Sequence, residues 1–298
     1  MKLPPEKRHV VQLAGLLLLA ASLWFLGHEF AKNWSSIGAW RPTQGVLAVL
    51  AMLSLCYGAS LFILAESWHR IIDGFGHEPR SRTYVSFTSS QIARYIPGNF
   101  AHLLGRAIWL RGGALSDGAL ARATAMEILI TPIGAICALI LLGLILLAQY
   151  FDFSTAVGFG AAVLLAGMIR LTFRGLMRLS GRIDYWIQRF WPPVLLSTAF
   201  LLMFGVIFAT LCSIFGAQPV ILMIAAAIAG WIAGYVTPGA PGGLGVREAV
   251  LVALLSATAP AETILLASVL FRIVTTVGEV LCFLAGGFVA RRIGVSRV

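Results

Sequence analysis

Charge is what this chain has least of. Only 11% of its 298 residues are Asp, Glu, Lys or Arg, against 59% that are hydrophobic. A soluble domain of this length needs far more polar surface, so the shortage points to a polytopic all-α membrane protein with no separate soluble domain. Paired cysteines are also missing. Cys56, Cys137, Cys212 and Cys282 fall in different apolar spans without a Cys-x-x-Cys spacing, which suits packing rather than disulfides or clusters. His9, His28, His69, His77 and His102 are scattered, with no metal-ligand spacing. No Gly-x4-Gly-Lys-Ser/Thr loop, HExxH helix, Ser/His/Asp order or paired-acid cluster stands out. The reading therefore assigns no catalytic residue, no metal and no cofactor, and it takes His102 for a packing or hydrogen-bonding residue.

The charge that is present leans one way, with 22 Lys and Arg against 12 Asp and Glu, a net +10. The basic residues lie in loops between apolar spans. That is the positive-inside bias of a membrane protein, with attraction to anionic lipid, rather than a nucleic-acid surface.

Hydropathy predicts six full spans, at about residues 10–30, 43–65, 118–150, 154–171, 193–216 and 261–290. Lys7 and Arg8 before the first run resemble a signal peptide. The run is long and more spans follow, so it reads as an uncleaved helix. A charged loop is expected over 66–82, and a basic amphipathic segment over 170–189. A long helix from about 118 carries Glu127 and then Pro132, where a kink is expected.

Two apolar stretches are broken. Residues 234–248 hold Pro238, Gly239, Pro241, Gly242, Gly243 and Gly245, then Arg247 and Glu248. Prolines without a donor and permissive glycines cannot stay helical, and broken backbone at membrane depth needs protein or water around it. Residues 83–112 are broken at Pro97–Gly98, and Arg94, Arg106 and Arg111 flank the break. Each stretch reads as a hairpin that enters and leaves on one side. Tyr95-Ile96-Pro97-Gly98 with Gly105-Arg106 can be laid over Tyr235-Val236-Thr237-Pro238-Gly239 with Gly245-Val246-Arg247. Ten residues past Asp117 stands Glu127, and ten past Glu262 stands Arg272. The chain then reads as one membrane domain, 1–298, made of two half-repeats, 1–152 and an inverted 153–298. Both termini and most basic loops fall on one side, the cytoplasm.

Charged side chains inside spans cost about 2.5–3.5 kcal/mol each on insertion scales, so they are paired or face a wet cavity. Two readings stand for Glu127, Arg272 and Glu279. One is ion pairing between helices, with Arg272–Glu127 and Arg247–Glu279 as the expected pairs. The other makes Arg106, Arg247 and Arg272 cation sites for an anionic group such as a lipid phosphate, with Glu127, Glu248 and Glu279 around them. The Gly-rich stretch also offers free N–H groups at a helix N-terminus, suited to an anion. Arg111 and Arg122 are read as surface charges.

With these motifs the chain resembles the lysylphosphatidylglycerol synthase transmembrane-region family, which includes the flippase-type domain of bacterial multiple-peptide-resistance proteins. The motifs are Tyr95-Ile96-Pro97-Gly98-Asn99 with Gly105-Arg106, the helix with Glu127, and Pro241-Gly242-Gly243-Leu244-Gly245-Val246-Arg247-Glu248. The resemblance implies a bacterial inner-membrane protein that translocates or handles an anionic lipid or lipid-linked headgroup, a phospholipid or a polyprenyl-phosphate carrier. Fused members end in a soluble aminoacyl-transfer domain. This chain stops eight residues after its last predicted span, so it is expected to be a translocase and not an enzyme. A membrane enzyme acting on a headgroup, and an accessory of an envelope-synthesis complex, are the alternatives. Envelope-synthesis enzymes and a second copy of the chain are kept as partners, and nucleic acid is not.

Overall fold

Thr43 opens the first long helix by accepting a hydrogen bond from the Val46 N–H at 3.3 Å. That helix, α1 (Gln44–Asp73), continues eight residues past the apolar run into what reads as a charged loop. Two features carry it on. Glu66 and Arg70 pair one turn apart at 2.6 Å, and Trp68, Ile71 and Ile72 bury their side chains. The computed structural model describes residues 24, 27–28, 31, 40–95, 101–150, 160, 183–237, 243 and 245–293. Among these there are eight α-helices, one 3-10 helix and no strand.

After α1 come α2 (Arg80–Ser90), the 3-10 turn Gln91–Tyr95, α3 (Ala101–Leu110) and α4 (Asp117–Tyr150). The second run is α5 (Ile183–Ile214), α6 (Val220–Val236), α7 (Val246–Leu255) and α8 (Ala261–Ile293). Four helices are long and apolar enough to cross a membrane: Gln44–Asp73, Asp117–Tyr150, Arg189–Ile214 and Ala261–Arg292. They correspond to four of the six expected spans. The expected spans 10–30 and 154–171, the basic segment up to 182, and the breaks at Pro97–Gly98, Pro238–Gly239 and Pro241–Gly242 lie outside the described residues. α5 starts ten residues before the expected 193 and runs through Pro192 and Pro193. A proline removes a donor and bends a helix without having to end it. The early turns are held from outside, where Arg189 donates to the Gly74 carbonyl at 2.6 Å.

That bond ties the end of α1 to the start of α5. At their other ends Trp40 meets Phe215 edge-on, with centroids 5.8 Å apart. α1 and α5 therefore run antiparallel. The two ends of the α2–α3 unit sit together: Arg82 donates to the Arg111 carbonyl at 3.2 Å, and the Ala114 N–H donates to Glu78 at 2.5 Å.

The helix packing has a two-part form. α1 packs on α5, α1 on α8 and α5 on α4. α2 packs on α3 and on α8, as α6 packs on α7 and on α4. Exchanging the set α1–α4 for the set α5–α8 returns the same scheme of helix contacts. Small residues set the closest crossings, as is usual where lipid supplies no hydrophobic drive between helices. Gly278 on α8 faces α1 so closely that a Cβ there would lie 2.7 Å from the Ser54 carbonyl oxygen and 2.7 Å from the Tyr57 ring.

Gly278→Ala is expected to cost about 1–3 kcal/mol by overpacking this crossing. Thermal unfolding in detergent would show a lowered Tm. Gly287→Ala is the control, since nothing lies within 4 Å of a Cβ there, and its Tm should hold or rise.

Candidate functional site

Pro132 sits inside α4 and has no N–H to give the carbonyl of Ile128, four residues back. A carbonyl orphaned in a membrane helix needs another donor. The Tyr235 hydroxyl, from the end of α6, supplies it at 3.1 Å. Helix α4 is continuous through Pro132, and this cross-tie is the visible consequence of the proline. It brings the end of α6 against α4 beside Glu127.

Glu127 is buried and pairs through Oε1 with Arg106 of α3. Arg106 is itself 2% exposed. Its guanidinium lies over the Phe87 ring at 3.9 Å, and its Nε donates to the Ser90 hydroxyl at 3.3 Å. In the other part of the chain the same kind of pair recurs with the signs exchanged. Arg272 of α8 donates to Glu248 of α7 at 3.0 Å. Glu248 also accepts from the Gly245 N–H at 2.9 Å, so the start of α7 is capped by its own carboxylate. This takes up one of the N–H groups that the sequence reading offered to an outside anion. Gly245 has φ +79°, a conformation that glycine adopts without strain. Gly234 and Gly243 touch backbone to backbone, where a Cβ on Gly234 would lie 2.9 Å from the Gly243 Cα.

Glu279 of α8 accepts from Arg94 at 2.8 Å and from the Tyr57 hydroxyl at 3.3 Å. The observed pairs are therefore Arg106–Glu127, Arg272–Glu248 and Arg94–Glu279. The expected Arg272–Glu127 and Arg247–Glu279 pairs are not among those formed. Each charge on the 3-10 turn, α3 and α7 in these pairs meets a long helix packed beside it, a neighbour that residue spacing does not reveal.

Arg247 is different. It is 7% exposed, and its Nε and Nη2 have no hydrogen-bond partner among the described residues. Two aromatic faces hold it, Phe271 at 4.8 Å and Phe204 at 5.4 Å from the guanidinium carbon. Gly230 leaves room for its stem, since a Cβ there would lie 3.1 Å from Arg247 Cγ.

One cavity joins these groups. It encloses about 910 Å³ of space, mouth included, and five of the six predicted binding residues line it: Arg106, Glu127, Arg247, Arg272 and Glu279. Glu248 stands behind, holding Arg272. Arg111 and Arg122 are exposed and away from the cavity. Arg94, which flanks the first break in the sequence, lines it too, while sequence reasoning missed Tyr57, Trp231 and Tyr235 as lining residues. Pro132 was the available signal for Tyr235, because an orphaned carbonyl implies a donor nearby. Trp231 and Tyr235 stack, centroids 4.9 Å apart, one turn from each other on α6.

The family model described as the lysylphosphatidylglycerol synthase TM region matches residues 12–282. No curated protein matches the chain.

Tyr235→Phe is expected to lower stability by about 1–3 kcal/mol, the cost of leaving a buried carbonyl without a partner. Pro132→Ala in that background restores an N–H to α4. Unfolding of the four proteins of this cycle in detergent should show the double variant recovering part of the loss. Equal losses with and without Pro132 would remove the cross-tie.

Proposed function

The chain belongs to the lysylphosphatidylglycerol synthase TM-region family, and we propose that it translocates a membrane lipid by admitting an anionic headgroup to the cavity around Arg247. The observation that carries this reading is the buried guanidinium with an unpartnered edge. Such a charge costs several kcal/mol at membrane depth unless something neutralises it. A phosphate oxygen pair fits an arginine fork. Membership in a family of lipid-headgroup membrane proteins supports the lipid as the source of that phosphate.

In this reading the helix pairs α2–α3 and α6–α7 are re-entrant hairpins, and residues 1–152 and 153–298 are inverted repeats. The antiparallel α1 and α5, the joined ends of the α2–α3 unit and the exchangeable contact scheme support it. Depth supports it too. Glu127 and Arg272 each lie ten residues beyond Asp117 and Glu262, about 15 Å along a helix. That is half of a hydrocarbon core of about 30 Å. Paired hairpins meeting near the midplane place a transport site between repeats. The membrane is the bacterial inner membrane, with both termini cytoplasmic, and the protein performs no chemistry on the lipid.

Proteoliposomes carrying fluorescent phospholipids test the transport step. Wild type should move an anionic lipid faster than protein-free vesicles, Arg247→Gln should lose about tenfold or more, and Arg247→Lys should keep part of the rate. If no phospholipid, anionic or zwitterionic, moves faster with wild type than without protein, translocation is excluded. The topology has its own check. In a cysteine-free protein, Ser116→Cys and Ser256→Cys should react with impermeant maleimide from opposite faces, and reaction from one face would remove the inversion.

A further inference from the structure

The cavity holds a second set of unsatisfied atoms. Glu127 uses Oε1 for Arg106, while its Oε2 is buried with no partner among the described residues. His102 is one turn before Arg106 on the same face of α3 and also lines the cavity. Its Nδ1 is likewise buried and unpartnered. Buried polar atoms left unmatched cost about 1–3 kcal/mol each, and they mark where a ligand group or water belongs. A carboxylate oxygen only accepts, and an imidazole nitrogen without a proton also accepts.

The other set, on Arg247, only donates. Its two unpartnered atoms, Nε and Nη2, share one edge of the guanidinium. One edge is a fork for one tetrahedral anion. The residues lining the cavity therefore carry one unpartnered donor fork on α7 and at least one unpartnered acceptor on the α3–α4 side.

We propose that the site selects headgroups with a single phosphodiester, held at Arg247, whose far end carries an N–H or O–H donor, held at Glu127 Oε2 with His102 beside it. The proposal rests on the headgroup-binding reading above and names the substrate class. Ethanolamine-type and glycerol-type headgroups satisfy both poles. A trimethylated amine has charge without a donor, and a methyl ester has no far group, so either leaves the acceptors bare.

Two matched pairs of dioctanoyl lipids test this on the full chain in detergent, by titration calorimetry or by quenching of Trp231, which stacks on Tyr235 at the cavity wall. Phosphatidylethanolamine and phosphatidylcholine are both zwitterionic. Phosphatidylglycerol and phosphatidylmethanol both carry one negative charge. Within each pair the donor-bearing lipid should bind about tenfold tighter or more. In Glu127→Gln the ratio should fall towards one. A wild-type ratio near one in both pairs overturns the donor assignment without touching the Arg247 site, and needs no variant to fold. A ratio above ten in one pair only restricts the donor to amine or to hydroxyl. If Arg247→Gln binds all four lipids as tightly as wild type, the headgroup reading itself falls.

Discussion

A guanidinium removed from water has to be answered, and the cavity is arranged around that requirement. Arg94, Arg106, Arg247 and Arg272 line it. Three carboxylates answer three of them: Glu279, Glu127 and Glu248. Every one of these pairs joins the 3-10 turn, α3 or α7 to a long helix. The ion pairs therefore do more than neutralise charge, because they fix where the broken segments sit against the continuous ones. A buried pair adds little net stability over apolar packing, yet losing one partner costs about 3–5 kcal/mol. That asymmetry holds the short elements against the long helices.

The two parts solve the same problem with opposite signs. In one part α3 carries the arginine and α4 the glutamate, while in the other α7 carries the glutamate and α8 the arginine. Residues beside both Pro/Gly stretches are likewise tied across to the other part. Arg94, next to the first break, reaches Glu279 on α8. Tyr235, next to the second, reaches the Ile128 carbonyl on α4. One tie is ionic and the other is a neutral bond to a carbonyl that Pro132 cannot serve. Their chemistry differs while their placement corresponds, so the correspondence is one of position more than of letters.

Much of this was legible in residue order, for a physical reason. Apolar runs must span and Pro/Gly clusters must break, so four described spans and the arms of both broken segments fall close to where hydropathy and proline place them. Charges inside apolar runs are costly enough to be informative, and five of the six singled out reach one cavity. Partner identity was not legible, because a pair between distant helices depends on which faces meet. Helix ends were misjudged where tertiary contacts extended them. The Glu66–Arg70 pair and buried Trp68 carry α1 to Asp73, and Arg189 holds the early turns of α5. The cap at Gly245 was missed for a related reason, since Glu248 serves the helix start and Arg272 together.

What remains is the fourth arginine. Four guanidiniums and three carboxylates leave one positive charge over, and the geometry puts that excess on Arg247. Its aromatic neighbours reduce the cost. A cation over an aromatic face away from water contributes about 2 kcal/mol, against an insertion cost of about 2.5–3.5 kcal/mol. The difference is small enough for the folded protein to carry and large enough for an anion to recover on binding. A fourth carboxylate beside Arg247 would make the empty protein more comfortable and would close the fork. Phe204 and Phe271 do the opposite. They support the charge from its faces and leave its Nε–Nη2 edge without a hydrogen-bond partner among the described residues, which is what the proposed phosphate contact would supply.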